Sequence, residues 1–311
     1  MLENPIPWPN GARCAVAITW DVDCDSGLNY YNPDRADNLV ASQSQTRYDS
    51  AVAVPRIVKL LKNLGMRQTF FIPGWCIEKF PATMDAILEG GHELALHGYL
   101  HERPNELSPE DELYCLRRGI EAFRRHTGVH PRGWRAPSFA FSKHSLAYLV
   151  AEGFIYDSSL MGDDIPYMLK HKTGNLIELP TEWCLDDWPH YVHNRDFRHQ
   201  MPISPPSRAI EVFRAEFDAA WRHGALWNSV WHPFVSGRLS RLDAVAGLIE
   251  HMQSKGQVWF TTLGGVAEHV QSLIAAGTWK PREEAMPHYE SPIPELAREP
   301  TSGPLLRKSG T

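Results

Sequence analysis

His97 and His101 stand four residues apart in HGYLH, just after the apolar run ELAL. Two imidazoles at that spacing can grip one metal ion. Spacing alone decides nothing. With 15 His in 311 residues, chance supplies roughly one such pair, and His126 and His130 form a second. That second pair straddles a helix stop and has no carboxylate companions, so it reads as structural. His97 and His101 do have companions. Asp21-Val22-Asp23 ends an apolar run, Arg135 sits in GWRAP, Asp157 in FIYDSS and His232 in SVWHP. Alternation along a strand puts Asp21 and Asp23 on one side and Val22 on the other. One carboxylate and two neutral imidazoles are a facial set of ligands for Zn²⁺ or a similar ion, with positions left open for water and substrate. The second carboxylate can then take a proton from the attacking water. An arginine beside it would keep it ionised and oriented, and a further histidine could protonate a leaving nitrogen. This is the chemistry of metal-assisted amide hydrolysis.

These residues need a scaffold that gathers strand ends. The pattern alternates strand and helix: strands at 14–21, 67–73, 92–97, 154–157, 176–180, 226–233 and 258–262, a strand end at 133–137, and helices at 50–65, 81–91, 108–128, 142–153, 239–255 and 264–276. The helix at 108–128 carries a full signature: Ser108 as cap, Pro109 next, acids in the first turn, bases in the last and Gly128 after it. Seven or eight such units argue for a parallel sheet closed, or nearly closed, into a barrel, with the chemistry at the C-terminal strand ends. A polar loop spans 24–48. A second long insert, 183–207, rich in Trp, His, Asp and Pro, reads as a lid. The catalytic barrel is expected over 1–276. Residues 277–311 read as an irregular tail, an arm onto a neighbouring copy in a homo-oligomer.

The composition narrows the partners. The chain is 43% hydrophobic and 22% charged with a net charge of −6, which suits a globular domain with a sizeable core and disfavours nucleic acid. Five scattered cysteines make no C-x-x-C pair, as expected of thiols in a reducing compartment. The N-terminus lacks the charged and apolar regions of an export signal, and no run is long enough to span a membrane. The expectation is a cytoplasmic protein that meets a small-molecule amide, imide or N-acetyl sugar.

Over TFFIPGW (69–75), GHELALHGYLHE (91–102), GWRAPS (133–138) and FIYDSSL (154–160), the chain resembles the polysaccharide deacetylases. These are carbohydrate esterase family 4, with the NodB-homology domain. It looks most like the branch of intracellular peptidoglycan-deacetylase-like proteins, cyclic imidases and an allantoinase-like group. The resemblance implies a distorted (β/α)7 barrel and a divalent metal, usually Zn²⁺ and sometimes Co²⁺ or Ni²⁺. By the family motifs, Asp21 would be the base and Asp23, His97 and His101 the metal ligands. The usual pair of acids is adjacent, whereas here Val22 intervenes, and Gly98 stands where Ser or Thr is common. Arg135 and Pro137 match the third motif. Asp157 matches the fourth in part, without its usual Trp nearby. His232, in VWHP, matches the catalytic acid. These departures hint at a non-standard substrate.

Other residues stay open. Asp186 and Asp187 in CLDDWPHY read either as substrate contacts or as a solvated loop, and Asp187 is carried forward as a candidate contact. Trp231 is carried forward likewise, while Trp183 and Trp188 divide between core and cleft. His92 and Asp25 read as structural, and nothing supports Cys24 as a nucleophile. Two competing functions remain. One is a barrel that binds sugar or metal without turnover. The other is a metal-independent glycosidase using Asp21 with another acid, which leaves the two histidines unexplained.

Overall fold

A computed structural model describes residues 2–289 and 291. Its strands are β1 (Cys14–Ala17), β2 (Thr19–Asp21), β3 (Thr69–Ile72), β4 (Glu93–Leu96), β5 (Gly133–Trp134), β6 (Tyr156–Asp157), β7 (Tyr167–His171), β8 (Gly174–Glu178), β9 (His193–Asn194), β10 (His199–Gln200), β11 (Leu226–Asn228), β12 (Val258–Phe260) and β13 (Glu283–Ala285). The expected strand 14–21 is thus broken at Ile18. The break lets its two halves take different neighbours. β1 lies between β11 and β12, while β2 pairs with β3 and bridges through Trp20 to Trp231. From β2 the sheet continues through β3, β4, β5, β6 and β8, every pair parallel. Strand 1 in its two halves, β3, β4, β5, β6, β8 and β11 therefore make a (β/α)7 arrangement, distorted where β12 wedges against β1. Among the described residues no backbone ladder joins β8 to β11. The Asn228 side chain spans that seam instead, donating to Leu179 O (3.3 Å) and Pro180 O (3.1 Å).

The strands are buried on both faces, as parallel strands under helices must be. β1 and β3 are buried throughout. Trp20, Trp227 and Trp231 are among the largest fully buried side chains. Trp20 is tolerated there because its Nε1 donates to Gln68 Oε1 at 2.6 Å. The helix Pro109–Thr127 has the expected ends: Ser108 accepts from Asp111 N, and Gly128 takes φ +76°.

Several expectations need correction. The polar stretch 24–48 is largely helical, with helices Ser26–Tyr31 and Val40–Thr46. A helix at Pro206–His223, stopped by Gly224 at φ +89°, went unread. The tail is not irregular throughout, because β13 adds a parallel strand to β7. Residues 290 and 292–311, and the proposed arm with them, lie outside the described residues. The insert 183–207 holds a short helix, Trp188–Tyr191, and the β9–β10 hairpin. It locks onto the 24–48 segment. Asp196 accepts from Ser42 Oγ (2.7 Å) and Arg35 Nη2 (3.3 Å), and Asn194 Nδ2 donates to Gln45 Oε1 (2.8 Å). Together the two segments roof the C-terminal mouth of the barrel.

Candidate active site

Asp21 ends β2 and Asp23 follows it, and both side chains face a cavity of about 390 Å³ under the roof. Val22 between them is fully buried on the opposite side, the result expected of alternation along an extended chain. The two acids have different surroundings. Arg135, itself fully buried, places Nη1 2.7 Å from Asp21 Oδ1 and 2.8 Å from Thr19 Oγ1. Its Nε donates to Ser158 O and its Nη2 to Ser158 Oγ, so the guanidinium has a fixed orientation. Burial opposes ionisation of Asp21. Arg135, helped by His97 and His232, outweighs it and holds the carboxyl below the ordinary aspartate value.

Asp23 faces the histidines. Its Oδ2 is 3.4 Å from His101 Nε2 and 3.7 Å from His232 Nε2, and its Oδ1 is 3.7 Å from His97 Nε2. Asp23 Oδ1 is buried without a hydrogen-bond partner. His97 Nδ1 lies 2.8 Å from Arg135 O. A carbonyl can only accept, so Nδ1 carries the proton and the Nε2 lone pair points at Asp23. Burial also lowers the His97 pKa and keeps the ring neutral. One ligand atom from each of Asp23, His97 and His101 lies within 4.8 Å of the others. An orphaned buried carboxylate oxygen facing two imidazole nitrogens, one of them fixed in the right tautomer, fits a divalent cation.

The turn that carries the histidines is tightly built. Gly98 takes φ +71°, and a Cβ there would lie 2.9 Å from Glu102 Oε1 and 3.1 Å from Pro137 Cγ. Glu102, buried, accepts from Tyr99 N (2.8 Å) and Leu100 N (2.6 Å). Its Oε1 and Oε2 thereby fold the chain back so that His101, at φ +62°, faces Asp23. Cys24, Ser138 and Phe139 also line the cavity with positive φ, and strain of this kind concentrates at working sites. Asp49 Oδ2 accepts from Cys24 N at 2.8 Å and holds the turn after Asp23. Neither Glu102 nor Asp49 was singled out from the sequence. Their acceptors serve backbone N–H groups made close only by folding.

His232 lies at the C-terminal extension of β11. Its Nδ1 is 2.7 Å from Asp187 Oδ1, and Asp187 Oδ2 also accepts from His232 N and Ser236 Oγ. Burial works against a charged ring here. Asp187 first, then Asp186 and Asp23, reverse that and raise the His232 pKa well above its ordinary value. Asp186 and Asp187 are buried, so the solvated-loop reading is wrong. A parallel bridge from Asp186 to Val230 holds their loop against the barrel. Asp157 is not beside His232. At the end of β6 it accepts from Ser159 Oγ (2.7 Å), and Ser159 Oγ in turn accepts from Ala136 N (2.8 Å). It therefore braces the Arg135–Pro137 segment. Pro137 packs against the Gly98 turn, and Trp231 belongs to the core, stacked edge-on with Trp20 at 5.5 Å, not to the cavity wall. The aromatic wall consists of Trp183, Trp188, Phe139, Phe197, Phe234 and Tyr31. Phe197 and His199, both from the insert, were also missed from the sequence.

With this geometry in view, the relatives fall into one group. The family profile described as polysaccharide deacetylase matches residues 46–156. A Helicobacter pylori peptidoglycan deacetylase is 29% identical over 281 residues, covering 81% of this chain and 94% of its own. A peptidoglycan deacetylase-like protein of Gibberella zeae is 28% identical over 294 residues, covering 81% and 85%. A solved structure from Mycobacterium smegmatis, assigned to the polysaccharide deacetylases, is 39% identical, with a TM-score of 0.86 over 93% of this chain and 99% of that one. The chain belongs to the polysaccharide deacetylase family.

Proposed function

We propose that this chain is a metal-dependent hydrolase of a non-peptide amide, acting on a compact substrate: an N-acetylated sugar or a small ring amide. The single observation that carries the reading is the division of labour between Asp21 and Asp23. Arg135 claims one oxygen of Asp21, while Asp23 keeps a buried, unpartnered oxygen beside His97 and His101. Asp23, His97 and His101 would hold the cation, Zn²⁺ first and Co²⁺ or Ni²⁺ as alternatives. Such an ion, when bound, polarises a carbonyl and lowers the pKa of water.

The other residues act in sequence. Asp21, oriented by Arg135, accepts the proton of the attacking water. His232, kept protonated by Asp187, donates a proton to the departing nitrogen as the C–N bond breaks. The aromatic wall and the locked roof exclude bulk water and favour a compact ligand over a polymer threaded past the site. Deacetylation and ring opening share every one of these steps. The family's acetylated sugars and the resemblance to cyclic imidases therefore both remain in view.

The test is a substrate screen on the purified full chain with elemental analysis of its metal. Succinimide, allantoin, N-acetylglucosamine oligomers and peptidoglycan fragments would be compared at equal metal loading, with and without chelator. Chelator-sensitive turnover of a small amide is expected. Activity confined to long glycans, rising with chain length, would overturn the compact substrate, and turnover unaffected by metal removal would overturn the metal role.

A further inference from the structure

Asp186 faces the same cavity, and beyond helping Asp187 to raise the His232 pKa it has been given no role above. Leu185 O accepts from Val230 N (3.1 Å) and Asp187 N donates to Val230 O (3.0 Å), so a bridge at Asp186, whose own backbone is extended, fixes it beside the chain after β11. Asp187 turns toward His232 N and Ser236 Oγ, and both its oxygens are engaged. Asp186 turns into the cavity. It is 4% exposed. Its Oδ1 accepts from Trp188 N at 2.7 Å. Among the described residues no hydrogen bond reaches its Oδ2.

Asp186 thus presents an unengaged carboxyl oxygen to the cavity, where a donor on a ligand can reach it. Burial pushes the Asp186 carboxyl up to about 7, with Asp187 and Asp21 adding to the rise and His232 opposing it. Its position says which part of a ligand it meets. Asp186 Oδ1 is 3.9 Å from His232 Nδ1, whereas His232 Nε2 faces Asp23 at 3.7 Å. Asp186 therefore stands on the side of His232 away from the metal ligands. The indoles of Trp183 and Trp188 line the cavity with it and leave little other polarity there.

We infer that Asp186 is a specificity-determining residue whose free carboxyl oxygen accepts a hydrogen bond from a hydroxyl or ring N–H on the nitrogen-bearing part of the substrate. This rests on the amide-hydrolase reading, in which His232 serves the departing nitrogen. The enzyme then selects amides whose amine portion carries a donor close to the scissile nitrogen. Sugar hydroxyls and ureide N–H groups both satisfy it, and a bare alkyl amide does not.

Two matched pairs test this. N-acetylglucosamine is compared with N-acetylcyclohexylamine, which lacks hydroxyls, and hydantoin with 1-methylhydantoin, which lacks one ring N–H. For each, turnover is measured, and binding to metal-loaded protein is followed by tryptophan fluorescence. Binding needs no turnover, so a failed hydrolase reading stays distinguishable from a failed Asp186 assignment. Asp186→Asn and Asp186→Ser both keep an acceptor for Trp188 N, so one serves if the other misfolds. In wild type the donor-bearing member of at least one pair should be preferred. Either variant should cut that preference on the order of ten- to a hundredfold, the value of a hydrogen bond to a charged group. The donor-free member should keep its binding, and any loss of turnover passed on through His232 should fall on both members alike, leaving the preference as the readout. Which pair responds tells a sugar hydroxyl from a ring N–H. Equal losses for both members would make Asp186 a structural support of His232 and overturn the assignment. Unchanged preference in the variants, or a wild-type chain that binds neither pair, would overturn it as well.

Discussion

His232 Nδ1 and Asp187 Oδ1 are 2.7 Å apart, and Asp187 is fully buried. The pair comes from two strand extensions 45 residues apart in sequence, joined where Asp187 N donates to Val230 O. Asp187 raises the His232 pKa, so the ring stays charged through neutral pH. Asp187→Asn removes the negative charge but keeps an oxygen. The His232 pKa should fall, and its acid form should be lost at lower pH than in wild type. The alkaline limb of the pH–rate profile should therefore move down, with a loss in rate of at least ~10², the usual minimum for a general acid. An alkaline limb that stays in place would show that His232 is not the group titrating there.

Asp21 and Asp23 should separate cleanly by mutation. His101→Ala should lose most of the bound metal by elemental analysis. Asp21→Asn should keep the metal and lose at least ~10² in turnover, because its partner Arg135 touches none of the proposed ligand atoms. A metal-free Asp21→Asn would reverse the assignment of the two carboxylates, and a fully loaded His101→Ala would remove His101 from the ligand set.

Much of this site was legible in the sequence because its members end strands. Asp21, Asp23, His97, Arg135 and His232 follow short apolar runs, and a barrel brings such ends to one rim. Asp187 was harder. Two adjacent acids in a polar loop show no periodicity, and only the bridge between Asp186 and Val230 decides which faces inward. The family's fourth motif pointed to Asp157, which ends β6 and bonds Ser159 rather than His232. Glu102 and Asp49 gave no signal at all, since they bond to main-chain groups. The helix Pro206–His223 did have a signal: Pro206 at its start, Arg222 and His223 in its last turn, and Gly224 beyond. The break at Ile18 and the wedged β12 had none. They follow from closing the sheet, a constraint no local pattern encodes.

Glu178 should make stability depend on pH. It is buried, and its Oε1 accepts from Ser159 N and Leu160 N. Burial first, then the neighbouring Asp157, raises its pKa well above 4.5. A raised folded value means the folded chain retains a proton that the unfolded chain releases. The associated stability is complete below the unfolded value and is lost as pH rises through the folded one. The slope is about 1.4 kcal/mol per pH unit within that window. Glu178→Gln keeps the acceptor for both N–H groups and cannot ionise. Its melting temperature relative to wild type should rise as the pH is taken upward from the ordinary glutamate range. A difference that stays flat as the pH rises would show that Glu178 is not protonated in the folded chain.

Gly98 is the residue on which the two histidines depend for their spacing. At φ +71° any side chain there is strained, costing on the order of 1–2 kcal/mol for the left-handed backbone alone. A Cβ would also press on Glu102 Oε1 at 2.9 Å, and Glu102 holds the N–H groups of Tyr99 and Leu100 that shape the turn. Gly98→Ser should therefore lower the melting temperature and, because His101 shifts relative to His97, weaken the metal in a chelator competition. Pairing it with Glu102→Ala separates the causes. If the contact with Glu102 is what excludes a side chain, Gly98→Ser should cost less stability in the Glu102→Ala background than in wild type. An equal cost in both backgrounds would place the whole penalty in the backbone. Undiminished metal affinity in Gly98→Ser would mean that His101 is held by something other than this turn.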